Sequence, residues 1–213
     1  MRRRASVELG AVLSAIASQP DFDDVDRGIL DATERLLRSR GLRDWSVEDV
    51  ADEADVGRTS VYRRFGDRDN LVHAVLAREL RRTLRLIQRE IEGHDTLEDR
   101  AVAAVRTALT ALDGSVVSAL LVSDPETFLP FLTTEAGPLL EVARVAITTE
   151  LSNWTQRPSP ELAEAAARFG LSFILTRSTI LPLNEPDELD AAVRRMVRPF
   201  LASLATPAGR TSH

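Results

Sequence analysis

The residues best suited to bonding a polyanion or a base edge lie within one short stretch: Arg58, Thr59, Tyr62 and Arg63. A guanidinium bonds two acceptors on a guanine edge, and a serine or threonine hydroxyl bonds bases or phosphates. A tyrosine hydroxyl reaches phosphate and fixes register without reading sequence. Val61 and Phe65 stand four apart, so a helix here turns both inward and leaves Arg58, Thr59, Tyr62 and Arg63 outside. By composition alone, an ordinary solvated helical hairpin with its charges outside is the stronger reading.

Other chemistries are poorly supplied. There is no cysteine, which excludes disulfides and thiolate metal sites. The histidines are His73, His94 and His213, with no close pair to begin a zinc site. No G-x-S-x-G, H-E-x-x-H, P-loop or glycine-rich dinucleotide loop occurs. The carboxylates are scattered over polar helix faces. We therefore assign no catalytic residue and expect no enzyme, metal or cofactor.

Charge distribution supports an anionic partner better than total charge does. The chain carries a net −6. From Gly57 to Glu90, however, nine arginines face only Asp67, Asp69, Glu79 and Glu90, a local surplus of five positive charges. All 27 basic residues are arginine. No run of about 18 apolar residues occurs, so no membrane span is expected. Arg2, Arg3 and Arg4 precede an apolar stretch that Glu8 interrupts, which argues for an amphipathic helix rather than a signal peptide. A cytoplasmic protein is expected.

These side chains need elements to hold them, and the pattern is helical throughout. Ile29, Leu30, Thr33, Leu36 and Leu37 form an apolar stripe from about residue 24 to 40, with Gly41 as its left-handed end. Ser46 and Asp49 have capping-box spacing, and Trp45 and Val50 occupy the hydrophobic-staple positions. Short helices follow over about 47–54 and 58–65. Asp67 caps a long helix to about residue 91. Thr96 with Asp99 opens another, to residue 112. Asp124-Pro125-Glu126 reads as a further cap with proline at the first helical position. Later helices open at Gly137-Pro138, Ser159-Pro160 and Pro186.

The stretch from Trp45 to Phe65 resembles the TetR-family helix-turn-helix. A Ser/Thr-capped helix leads through A-x-x-A-x-V to a recognition helix ending in aromatic-x-x-F, and a basic residue opens the next helix. Ser46, Val50, Ala51, Ala54, Val56, Ser60, Val61, Tyr62, Phe65, Arg68 and Leu71 match in unbroken register. The resemblance covers about residues 24–77. It implies an all-α fold: an N-terminal three-helix DNA-binding domain joined by a long helix to a C-terminal ligand-binding and dimerisation bundle. We place the extension at 1–22, the DNA-binding domain at 23–70, the bundle at 71–205 and a disordered tail at 206–213. The partners implied are double-stranded DNA, a small-molecule effector and a second copy of the chain.

Carried over by residue, the resemblance makes Ser46, Tyr62 and Arg68 phosphate contacts. Arg58, Thr59, Ser60 and Arg63 lie near base edges, and Arg64 faces the DNA backbone. Two positions depart from the family. Asp55 stands where glycine is usual in the turn, and Gly57 replaces the Ser/Thr cap of the second helix. Aspartate tolerates a left-handed backbone better than most residues, and glycine is an acceptable, weaker cap. Arg2–Arg4 suit either a minor-groove arm or a solvated terminus.

The second half is read from its own residues. Phe128, Phe131, Trp154, Phe169 and Phe173 suit either an apolar effector cavity or core packing. Arg177, in an otherwise apolar helix, needs a partner: a ligand oxygen, or a carboxylate such as Glu150 or Asp187. Ala166, Val193, Val197 and Phe200 lie on two amphipathic helices that the resemblance pairs with their copies. The expectation is a ligand-responsive regulator, acting as a repressor. The alternative is a ligand-binding or interaction protein that no longer binds DNA.

Overall fold

The structure is a computed structural model of the chain, and it describes residues 5, 7–18, 21–154, 159–175, 182 and 185–205. Among the described residues there are eleven helices and no strand. The first five are α1 (Leu9–Ala17), α2 (Asp24–Arg40), α3 (Val47–Glu53), α4 (Arg58–Phe65) and α5 (Arg68–Glu92). Then come α6 (Leu97–Leu112), α7 (Val116–Ser123), α8 (Pro125–Leu132) and α9 (Gly137–Ser152). The last two are α10 (Pro160–Leu175) and α11 (Pro186–Ala205). The all-α class follows from the uninterrupted helical periodicity.

The chain forms two compact units, one within Met1–Arg82 and Asp113–Glu135, the other within Thr83–Leu112 and Ala136–His213. The first is larger than the domain expected over 23–70. Its core joins Leu30, Leu37, Trp45, Val50, Val61 and Val75 to Val12 of α1, Val116 and Leu120 of α7, and Phe128 of α8. Apolar residues from the extension and from the segment after α6 are thus buried around the helix-turn-helix. That burial, rather than proximity in sequence, sets the boundary.

Local capping explains where α2, α3 and α5 begin. Asp23 and Asp26 form a reciprocal capping box at α2, and Ser46 and Asp49 form one at α3. Trp45 and Val50 are both fully buried, as staple positions require. At α5, Asp67 Oδ1 accepts the Asn70 N–H at 2.8 Å. Gly41 ends α2 with a φ of 62°. Truncating a buried aromatic such as Trp45 costs about 3–5 kcal/mol.

The extension is docked where it is described. The Ala5 N–H donates to the Leu42 carbonyl at 3.0 Å, and Arg81 donates to the Ala15 carbonyl at 2.6 Å. The Glu8 N–H donates to Nε2 of buried His73 at 3.0 Å. Arg2–Arg4 and the 206–213 tail lie outside the described residues.

In the second unit, α10 packs on α9 through Ala136, Leu140 and Ala167. Helix α11 packs on α6 through Val102, Leu189 and Val193. Ion pairs reinforce the second contact: Arg194 meets Glu98 at 2.8 Å and Asp99 at 2.7 Å. Arg194, more than Arg198, holds the Glu98 carboxyl below its usual range.

Candidate nucleic-acid interface

Helices α3 and α4 form the helix-turn-helix. Val47, Val50 and Ala51 are buried on one side of α3, and Val61 on one side of α4. The turn between them is tight. The Val56 N–H donates to the Ala51 carbonyl at 3.0 Å, and Asp55 has a φ of 53°. Asp55 therefore supplies the left-handed residue for which glycine is the easier solution. Gly57 caps α4 with no side-chain bond. Phe65 turns inward against Phe22, with ring centroids 6.1 Å apart.

This packing leaves Arg58, Thr59, Tyr62 and Arg63 exposed on α4 and Ser60 half-buried. Tyr62 keeps 40% of its surface in solvent although it is a large ring. Arg63 makes no ion pair with any described residue. Arg58 is partly held: its guanidinium meets Glu48 of α3 at 2.7 Å and lies 5.3 Å from the centre of the Tyr62 ring. Both members of that pair are well exposed. An exchange of Glu48 for a phosphate or base therefore gives up about 1 kcal/mol or less.

Three other expected contacts are engaged within the fold. Arg64, placed by resemblance against the DNA backbone, instead bridges the α2 cap, 2.7 Å from Asp23 and 2.8 Å from Asp26. These two carboxylates raise the affinity of Arg64 for its proton. The sequence pattern placed it only by position on α4. The carboxylates that capture it are some forty residues earlier in the chain. The Ser46 hydroxyl is shared with Asp49 within the α3 capping box. Arg68 donates to the Leu42 carbonyl at 2.8 Å and lies 4.2 Å from the centre of the Trp45 ring. It is half-buried and fixes the approach to α3 from the start of α5.

The aromatics expected to line one pocket do not share one environment. Phe128 and Phe131 lie on α8 in the first unit, edge to face at 6.5 Å, and Phe128 belongs to its core. Trp154, Phe169 and Phe173 belong to the second unit. Phe169 packs against Phe173 at 5.0 Å and against Phe200 at 5.7 Å. An expected pocket residue and an expected interface residue thus form one aromatic cluster on α10 and α11. Trp154 sits by Arg100, and its ring nitrogen donates to Glu150 at 3.2 Å. Glu150 also holds Arg100 at 2.5 Å, which occupies the carboxylate considered for Arg177. Arg177 itself lies outside the described residues.

The second unit contains a cavity of about 350 Å³ whose lining includes Leu86, Glu90, Arg106, Thr110, Pro186 and Leu189. None of the aromatics singled out from sequence lines it. Its residues come from three helices and carry no shared sequence signal. Of the expected interface residues, Ala166, Val197 and Phe200 are partly exposed, whereas Val193 is fully buried. Val193 packs on α6 within its own chain.

Comparison with known proteins agrees with this geometry. The family model for bacterial regulatory proteins of the tetR family matches residues 29–75, which hold α3, α4 and the start of α5. Residues 29–75 form a DNA-binding domain of the tetR family of bacterial regulatory proteins. It is 26% identical over 183 residues to the HTH-type transcriptional regulator AlkX of Mycobacterium tuberculosis, covering 81% of this chain and 82% of that protein. A second, uncharacterized HTH-type regulator of M. tuberculosis is 28% identical over 187 residues, covering 84% and 85% respectively. Among solved structures, the TetR-family repressor AlkX from Dietzia sp. strain DQ12-45-1b is 29% identical with a TM-score of 0.58. That match covers 83% of this chain and 97% of the Dietzia protein. The fatty acid degradation regulator FadR of Bacillus halodurans shares the fold at 15% identity and a TM-score of 0.53, covering 88% of this chain and all of FadR. The chain is a helix-turn-helix transcription regulator of all-α fold. No single helix among the described residues is long and apolar enough to cross a membrane.

Proposed function

We propose that this regulator is a cytoplasmic homodimeric repressor that binds a pseudo-palindromic operator through α4 and leaves it when a small, mostly apolar molecule enters the second unit. The observation that carries the DNA reading is the exposed face of Arg58, Thr59, Tyr62 and Arg63 on a helix whose opposite side is buried. Two copies present two such helices, and the spacing of the half-sites mirrors the symmetry of the dimer. Effector binding is supported by the open pocket in the second unit, where apolar Leu86, Ala111, Pro186 and Leu189 stand beside Glu90, Arg106, Thr107 and Thr110. The Dietzia AlkX repressor is implicated in biodegradation of n-alkanes, which favours an aliphatic effector.

The test is a titration of the protein on the duplex it enriches most from a random pool, and on a scrambled duplex, at several salt concentrations. The expected result is preference for the enriched duplex and affinity that falls linearly in log–log form with salt. Adding aliphatic alcohols, acids or alkanes should then release the enriched duplex. Equal affinity for enriched and scrambled DNA would remove the operator reading. Ligand and DNA must oppose one another by the same factor, because their coupling is reciprocal.

A further inference from the structure

The cap expected at α8 is not formed by the Asp124 side chain. Asp124 ends α7, donating its N–H to the Leu120 carbonyl at 2.8 Å, and its own carbonyl begins α8. Its carboxylate makes no cap bond to α8. Instead Oδ2 accepts the Leu42 N–H at 2.8 Å, 82 residues away in sequence. The Asp124 side chain is only 2% exposed, and Arg43 approaches its other oxygen at 3.5 Å. A carboxylate in such a place costs several kcal/mol of desolvation unless charge and hydrogen bonds offset it.

The loop it grips holds the helix-turn-helix. The Gly41 carbonyl accepts the Trp45 ring N–H at 2.9 Å. The Leu42 carbonyl accepts Arg68, which lies over the Trp45 ring. Residues 41–45 therefore join the entry of α3 to the start of α5. Gly41 independently registers the closeness of this contact. A Cβ there would stand 2.5 Å from Asp124 Oδ2, at a φ of 62° that side chains rarely adopt.

We propose that Asp124 is a positioning residue for DNA recognition: by holding the Leu42 amide it sets loop 41–45, and through it the angle at which α3 and α4 meet DNA. This rests on the DNA reading above. The Asp124→Ala variant should bind the enriched duplex about tenfold more weakly, which is what one buried hydrogen bond to a charged group is worth. Asp124→Asn keeps a carbonyl acceptor and should stay within about threefold of the original. Hydrogen exchange at the Leu42 amide should quicken in the Ala variant and remain slow in the Asn variant. Affinities are referred to the folded fraction, so that loss of stability alone does not register.

Where Asp124→Ala fails to fold, Gly41→Ala carries the test. It keeps the carboxylate but displaces it, and should weaken the enriched duplex by a similar factor of about ten. Folded Asp124→Ala or Gly41→Ala protein that binds as the original would overturn the proposal. So would an Asn variant as weak as the Ala one. Absence of any enriched duplex with the original protein would instead overturn the DNA reading, which separates the two failures.

Discussion

At the scale of single residues, the outer face of α4 divides into side chains that are free to read and side chains that are held. Arg63 is exposed and has no ion-pair partner among the described residues, whereas Arg64 beside it is bound to Asp23 and Asp26. Adjacent arginines therefore stand in different environments. Arg63→Ala should relax base preference at one operator position by about 1–3 kcal/mol if that guanidinium bonds a guanine edge. Arg64→Ala should instead lower the melting temperature, with little change in which bases are preferred. Selection from a random duplex pool, run for both variants alongside thermal melts, distinguishes these outcomes. A sequence preference altered by Arg64→Ala and untouched by Arg63→Ala would reverse the assignment.

At the scale of elements, what could be read from sequence was what is local. The capping box at Ser46, the Trp45 staple and the left-handed Asp55 all depend on neighbours within a few residues. Asp124 could not be read in this way. Asp-Pro-Glu has the same pattern whether the carboxylate caps its own helix or crosses to Leu42. The docking of α1 was equally hidden, because His73 carries no periodic signal for its partner Glu8. That contact has a pH consequence. Burial lowers the pKa of His73 against the opposing pull of Asp69, Glu8 and Asp67, and Nε2 must be unprotonated to accept the Glu8 N–H. A histidine with a depressed folded value contributes stability that is complete above its unfolded value of 6.5 and is lost as pH falls below it. Exchange at the Glu8 amide, corrected for intrinsic rate, should quicken between about pH 7 and about pH 5. Unchanged protection across that range would show that α1 is held without His73.

At the scale of the whole molecule, α10 and α11 carry the argument for a second copy. In a four-helix interface each copy must present apolar surface not used in its own core. Val193 is fully buried on α6, and Val197 packs against the same cluster. Phe169 and Phe200, 5.7 Å apart, keep part of their surface exposed. The exposed aromatic cluster, rather than the Val193 row, is therefore the face suited to pairing. The two substitutions should fail differently. Val193→Asp places a charge in an intact chain core without a partner. It should cost several kcal/mol and yield an unfolded or heat-labile protein. Phe200→Asp puts its charge in the partly exposed aromatic cluster instead. It should leave helical content and the HTH unit intact while shifting the sedimenting species from dimer to monomer. Loss of the dimer should in turn weaken the enriched duplex far more than a single half-site, since the linked second half-site acts at high effective concentration. Sedimentation, circular dichroism and operator titration on the same samples read all three effects. A Phe200→Asp protein that still sediments as a dimer would place the interface elsewhere on the second unit.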